Sequence, residues 1–106
     1  MPLAKINIDG VLRRYADGDA LRVNEIDDIS HSFARYAARK NTTLVAAVTS
    51  SVGDGLSVTG EATDTSTGLW SGKITGVREG IHSFILTGTF ANGNTQPLQI
   101  AFEVVD

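Results

Sequence analysis

The chain has no cysteine, one methionine, one tryptophan and two prolines in 106 residues. Without cysteine there is no disulfide and no thiolate metal ligand, so stability has to come from packing. Basic residues are scarce as well: nine Lys and Arg stand against twelve Asp and Glu, a net charge of −3. Neutralising phosphates needs a basic excess, so no nucleic-acid partner is expected. No apolar run approaches the roughly 18–20 residues of a membrane span, and no signal-peptide-like stretch opens the chain. The expectation is no membrane partner and synthesis in a cytoplasm.

Groups that could carry chemistry are equally sparse. Only His31 and His82 could act as acid–base groups near neutral pH. Each precedes a serine, but a serine nucleophile also needs an orienting acid and an oxyanion hole. No His or Cys spacing suits a metal, and no run of acids has the spacing of a calcium loop. Asp17-Gly18-Asp19 brings only two carboxylates together, which reads as a turn. Asp27-Asp28 reads as solvated acids or a helix start. Gly72-Lys73-Ile74-Thr75 looks like the end of a phosphate loop but lacks its first glycine and falls in a strand. The sequence therefore predicts no enzyme, no catalytic residue, no cofactor and no metal.

What the chain does have is alternation. Apolar residues make up 42% and charged ones 20%, ordinary for a globular domain. In 83–90, Phe84, Leu86 and Phe90 share one parity. In 95–105, Leu98, Ile100, Phe102 and Val104 share another. Period-two alternation puts each set on one face of a pleated strand. Asn92-Gly93 lies between them and predicts a hairpin with a type I′ turn. Pro97 suggests a strand start or an edge.

Upstream, 42–50, 55–63 and 67–77 read as further strands, separated by Gly, Asp and Ser. Strands recurring every 10–14 residues, with turn residues between, predict an all-β sandwich or barrel. Gly60, Gly68, Gly72, Gly76 and Gly88 are expected to mark bulges or bends. Trp70 is expected to anchor the core with Phe84 and Phe102; burying an indole is worth up to about 4–6 kcal/mol.

Residues 24–41 admit two readings. Ile26, Ile29, Phe33 and Ala37 recur at helical spacing, with acids early and Arg35, Arg39 and Lys40 late. Alternatively Ile29, His31, Phe33 and Arg35 form one face of a strand, with a turn at 39–41. Before this segment, 5–15 and 20–26 read as two short runs around a turn at 17–19. A lone two-stranded ribbon is marginal in water, so this piece needs a partner surface. Residues 1–27 are thus an extended arm or β-ribbon, and 28–106 the sandwich domain. Ile6, Ile8, Val11, Leu12, Arg13, Arg14, Leu21 and Val23 are its assembly residues, with strand addition as the binding mode. Arg13-Arg14 and Arg39-Lys40 read as charge that blunts strand edges, or as contacts to an acidic neighbouring subunit.

Two stretches carry a resemblance. "INIDGVLRRYADGDAL" resembles a strand-forming connector motif of tailed-bacteriophage structural proteins, at Asn7, Gly10, Val11, Leu12, Gly18, Asp19 and Leu21. The Leu-Pro usual in that motif is Tyr15-Ala16 here. Residues 29–106 are similar to small immunoglobulin-like phage proteins of the fibre or tail adaptor kind. The similarity runs from "ISHSFARYA" through "TTLVAAVTSSVGDGLSV" to the final hairpin. An Asp-Trp pair common in the first strand of that family is Ala34-Arg35 here, and a Gly-Gly is Arg78-Glu79-Gly80.

The resemblance implies an immunoglobulin-like β-sandwich and a strand at 29–36. It also implies a non-enzymatic virion structural protein (neck, tail, fibre adaptor or capsid decoration). Its partners would be other virion proteins and further copies of itself, as a homo-oligomer. The rival of a different class is a carbohydrate-binding sandwich, with Trp70, Tyr15 or Tyr36 stacking on a surface sugar.

Overall fold

The structure, a computed structural model, describes residues 20–106 and the backbone of 5–6 and 12–14. In chain order the elements are β1 (Lys5–Ile6), β2 (Leu12–Arg14), β3 (Leu21–Arg22), β4 (Ile26–Ser32) and α1 (Ala34–Arg39). There follow β5 (Leu44–Ser50), β6 (Leu56–Asp64), β7 (Leu69–Gly76), β8 (Gly80–Phe90) and β9 (Thr95–Val105). The class is all-β. One sheet has the order β1-β2-β9-β8-β5, with β3 also on β9; the other has the order β4-β7-β6.

Alternation builds the core between the sheets. In β8 and β9 the buried residues include Phe84, Leu86, Phe90, Leu98, Ile100, Phe102 and Val104. From the opposite sheet come Ile29, Leu56, Trp70 and Ile74. Trp70 is 0% exposed, and its ring centroid lies 6.3 Å from that of Phe84. Phe84 stacks in turn on Phe102 at 6.4 Å.

The final hairpin forms with a different turn from the type I′ expected. Among residues 91–94 only Gly93 takes a positive φ, at 92°. Gly93 N–H donates to Phe90 C=O, and Phe90 N–H donates to Asn94 C=O, both at 2.9 Å. This is the longer hairpin loop, with a bulge at glycine, that matches strand twist as well as a two-residue turn does. Asn92 instead accepts from Asn94 N–H through Oδ1 at 3.0 Å, a role that needs no left-handed backbone. Pro97 is the third residue of β9, ahead of the stretch paired with β2.

Residues 24–41 contain both of the structures their pattern suggested, in succession. The strand ends at Ser32 rather than reaching 36, and a six-residue helix follows. Ser32 Oγ accepts from Ala34 N–H at 3.2 Å, turning the chain. The helix closes with Asn41 at φ 55°, where Asn41 N–H donates to Ala38 C=O and Thr42 N–H to Ala37 C=O. That is a Schellman termination with asparagine at the left-handed position. Phe33 and Ala37 keep their helical spacing and are buried, whereas Arg35 is exposed.

The glycines divide. Gly60 lies in a bulge of β6, between Thr59 and Ala62, and Gly68 in the turn before β7. Gly72 pairs with Ile29 on one side and faces the β6 bulge on the other, while Gly76 and Gly88 sit in regular pairing. At Gly88 the reason is a close approach: a Cβ there would lie 2.7 Å from Cε1 of Phe33. The small residue on β8 makes room for the aromatic ring that leads into α1.

The leading segment departs most from expectation. Residues 17–19 lie outside the described residues, but the strands on either side run in the same direction. β2 is parallel to β9 at Gln99–Ala101, and β3 is parallel to β9 at Val104–Val105. The antiparallel partner of β2 is β1. A ribbon folded back at 17–19 would leave its own edges unpaired, whereas the edge of β9 supplies donors and acceptors to both pieces. The expected boundary between 27 and 28 falls inside β4. Leu21 belongs to the core at 5% exposure, and Val23 packs against it.

Candidate assembly surface

Sheet edges are where a protein of this class offers unmet backbone groups. The first sheet ends at β1 and β5, the second at β4 and β6. On β4, Asp27 and Asp28 are exposed, and Lys73 Nζ donates to Asp28 Oδ1 at 2.6 Å. That partner holds the Lys73 ammonium above its ordinary pKa. A shallow groove of about 320 Å³ opens beside it, lined in part by Ser30, Gly60 and Ser71. The edge of β6 is broken by the bulge at Gly60 and Glu61 and ends at Asp64. The Asp64 carboxyl is held below its usual value, first by the Ser66 hydroxyl and then by the Ser66 N–H.

β5 differs from both. It reads Leu-Val-Ala-Ala-Val-Thr-Ser and carries no charge. Its register with β8 slips once, at Val45, and is regular from Ala46 to Ser50. The outward parity of β5 and β8 combines Ala46, Val48 and Ser50 with Ile81, Ile85 and Thr87, none of them charged. Val48 is 58% exposed and Ile81 60%.

One side-chain link joins the two sheets beside this edge. Glu61 Oε2 accepts from Thr49 Oγ1 at 2.7 Å, and Glu61 Oε1 accepts from the Trp70 indole N–H at 3.1 Å. The bulge in β6 re-aims Glu61 in the way such irregularities do. Glu61→Ala is expected to cost about 1–2 kcal/mol in urea unfolding, because it strips the acceptor from a largely buried indole. Glu61→Gln, which keeps a carbonyl oxygen there, is expected to lose less than half of that.

The residues singled out from sequence are placed as follows. Trp70, Phe84 and Phe102 lie together in the core. Ile8, Val11 and Tyr15 lie outside the described residues. The backbone of Ile6 is in β1 and that of Leu12, Arg13 and Arg14 in β2. Leu21 and Val23 are in the body of the sandwich. Tyr36 is half-buried, 4.7 Å from the Phe90 ring with the Arg39 guanidinium 5.7 Å above it. Trp70 has no exposed face to offer a sugar.

His31 sits edge-on to Phe33 at 4.7 Å, while His82 Nε2 lies 3.1 Å from Glu79 C=O. They stand on strands of different sheets. Their neighbouring serines are both engaged: Ser32 in the start of α1, and Ser83 Oγ as acceptor for Gln99 Nε2 at 3.1 Å. The Arg78 guanidinium pairs with Asp54 and, by hydrogen bond and charge, holds that carboxyl below its usual range. Exposed pairs of this kind contribute little to stability. Among the described residues no three His, Cys, Asp or Glu converge, and no helix is long and apolar enough to cross a membrane.

Sequence reasoning did not single out Glu61 or β5. The signal for β5 was present: residues 41–53 contain no charge at all. Glu61 gave none, because its role depends on a bulge that only pairing creates. Comparison with protein-family models, curated proteins and solved structures finds no match.

Proposed function

We propose that the chain is an immunoglobulin-like sandwich acting as a non-enzymatic assembly unit of a tailed-bacteriophage virion. On this reading it contacts other virion proteins and further copies of itself through its N-terminal arm. The strand connectivity supports the fold reading. β4, β7 and β6 on one side, and β5, β8 and β9 on the other, correspond in order to strands B-E-D and C-F-G of the immunoglobulin arrangement. The leading strand then joins G rather than completing the β4-β7-β6 sheet.

The observation that carries the assembly reading is the parallel addition of β2 and β3 along β9. Strand addition to an open edge is a recurring way of joining protein segments. The same edge accepts a segment from its own chain or from a neighbour. Repetition in a particle makes many weak contacts add by avidity.

The test is truncation. It has to stop at residue 19, because Leu21 and Val23 belong to the folded body. A chain lacking 1–19 is expected to fold with an unchanged circular dichroism spectrum and to be lost from assembled particles. Incorporation at wild-type copy number would end the arm reading.

A further inference from the structure

β5 leaves a long edge of the first sheet without a strand partner among the described residues. Folded proteins blunt such rows of unpaired N–H and C=O groups with charge, proline or irregularity. This chain does so on β4, with Asp27 and Asp28, and on β6, with its bulge and Asp64. β5 has no charge and no proline, and its bulge at Val45 leaves Ala46–Ser50 straight. Glu61, the carboxylate that reaches β5, is turned inward by its bonds to Thr49 and Trp70.

From this we infer that β5 is a homotypic interface. The occupant is β5 of a second copy, added antiparallel across a two-fold axis at Val48, so that two first sheets become one. The choice of occupant follows from charge. In a two-fold contact the same patch meets itself, so a strand that carries acids alone brings carboxylates of both copies into one interface. Like charges directly opposite one another destabilise a strand pair, which disfavours β4 and β6 as self-pairing edges. On β5 the axis places Val48 opposite Val48 of the second copy, and Ala46 opposite Ser50. The outer faces of β5 and β8 then run on as one uncharged surface. The arm of a second copy suits this edge less well, since Arg13 and Arg14 would meet no carboxylate on β5.

The interface goes beyond the arm reading and does not depend on it. A pairing of five residues is small, below the roughly 1,000 Å² of a stable specific complex, so the dimer is weak and concentration-dependent. Sedimentation velocity of the full chain is expected to show monomer at about 10 μM and substantial dimer near 1 mM, the range of weak association. Val48→Lys and Val48→Glu are each expected to weaken the dimer at least tenfold, with melting unchanged. An equimolar mixture of the two is expected to restore it.

Because the chain has no cysteine, Val48→Cys provides a second reading that adds no charge. Mild oxidation is expected to cross-link it to a dimer, while Ile81→Cys, equally exposed but away from the axis, stays monomeric. A wild-type chain that is monomeric near 1 mM would overturn the interface, as would a Val48→Lys variant that dimerises undiminished. So would equal cross-linking at positions 48 and 81. If removing residues 1–19 abolishes the dimer while Val48→Lys does not, the arm is the contact and β5 is not.

Discussion

Trp70→Ala is expected to be the most damaging single substitution in the chain. The indole is 0% exposed, has its ring centroid 6.3 Å from that of Phe84, and donates to Glu61. Truncating a buried aromatic leaves a cavity that a close-packed interior does not refill, at about 3–5 kcal/mol. The substitution also deprives Glu61 of a donor. For a domain of this size that loss is a drop in Tm of roughly 15–30 °C, a large part of total stability. Scanning calorimetry measures it directly. Trp70→Phe keeps much of the volume and is expected to lose less than half as much. A Trp70→Ala variant melting within a few degrees of wild type would mean that the indole does not anchor this core. Wild-type fluorescence should be blue-shifted and resist acrylamide quenching.

Gly76→Ala is the second large effect, and it works by intrusion rather than loss. A Cβ at this position would stand 2.5 Å from the Arg22 carbonyl oxygen and 3.1 Å from Val104 Cγ1. The first neighbour is backbone, which cannot swing aside as a long side chain does. Gly76 C=O also accepts from Asn24 N–H at 2.7 Å, and Gly76 N–H donates to Glu25 C=O at 3.1 Å. The methyl therefore forces the β3–β4 connection away from β7. Overpacking of this kind costs about 1–3 kcal/mol. The substitution is expected to sit at the upper end of that range, because the displaced segment carries Leu21 out of the core.

Hydrogen exchange separates this from a general loss of stability. The Val23 N–H, bonded to Val105 C=O at 2.9 Å, is expected to lose protection first, while β8 amides keep theirs. Uniform loss across the chain, or a change below about 0.5 kcal/mol in urea unfolding, would refute the mechanism.

The sheets were legible from side-chain parity alone. Phe84, Leu86, Leu98 and Ile100 alternate so regularly that one face of each strand had to be buried, and turn residues marked where each strand ends. The hairpin was legible, but its turn type was not. Asn92-Gly93 permits two loop geometries, and the choice rests on how Phe90 and Asn94 pair. In residues 24–41, strand and helix patterns overlap at Ile29 and Phe33, because positions four apart satisfy both periods. What separates them is Ser32, whose hydroxyl serves the first turn of α1, a role local periodicity does not reveal.

The arm was misread in direction because composition says nothing about which edge a short strand joins. Parallel pairing with β9 depends on residues about eighty positions away. The candidate contact surface was legible only as an absence, the thirteen uncharged residues from Asn41 to Gly53.

The pairing of β3 with β9 joins residues 83 positions apart, Leu21 with Val104 and Arg22 with Val105. Contacts so distant in sequence close the largest loops and form late in folding. On a ribosome, the edge that receives Leu21 does not exist until Thr95–Val105 has emerged. Leu21 and Arg22 are made well before the strand that receives them, and throughout that interval their backbone groups have no β9 to pair with.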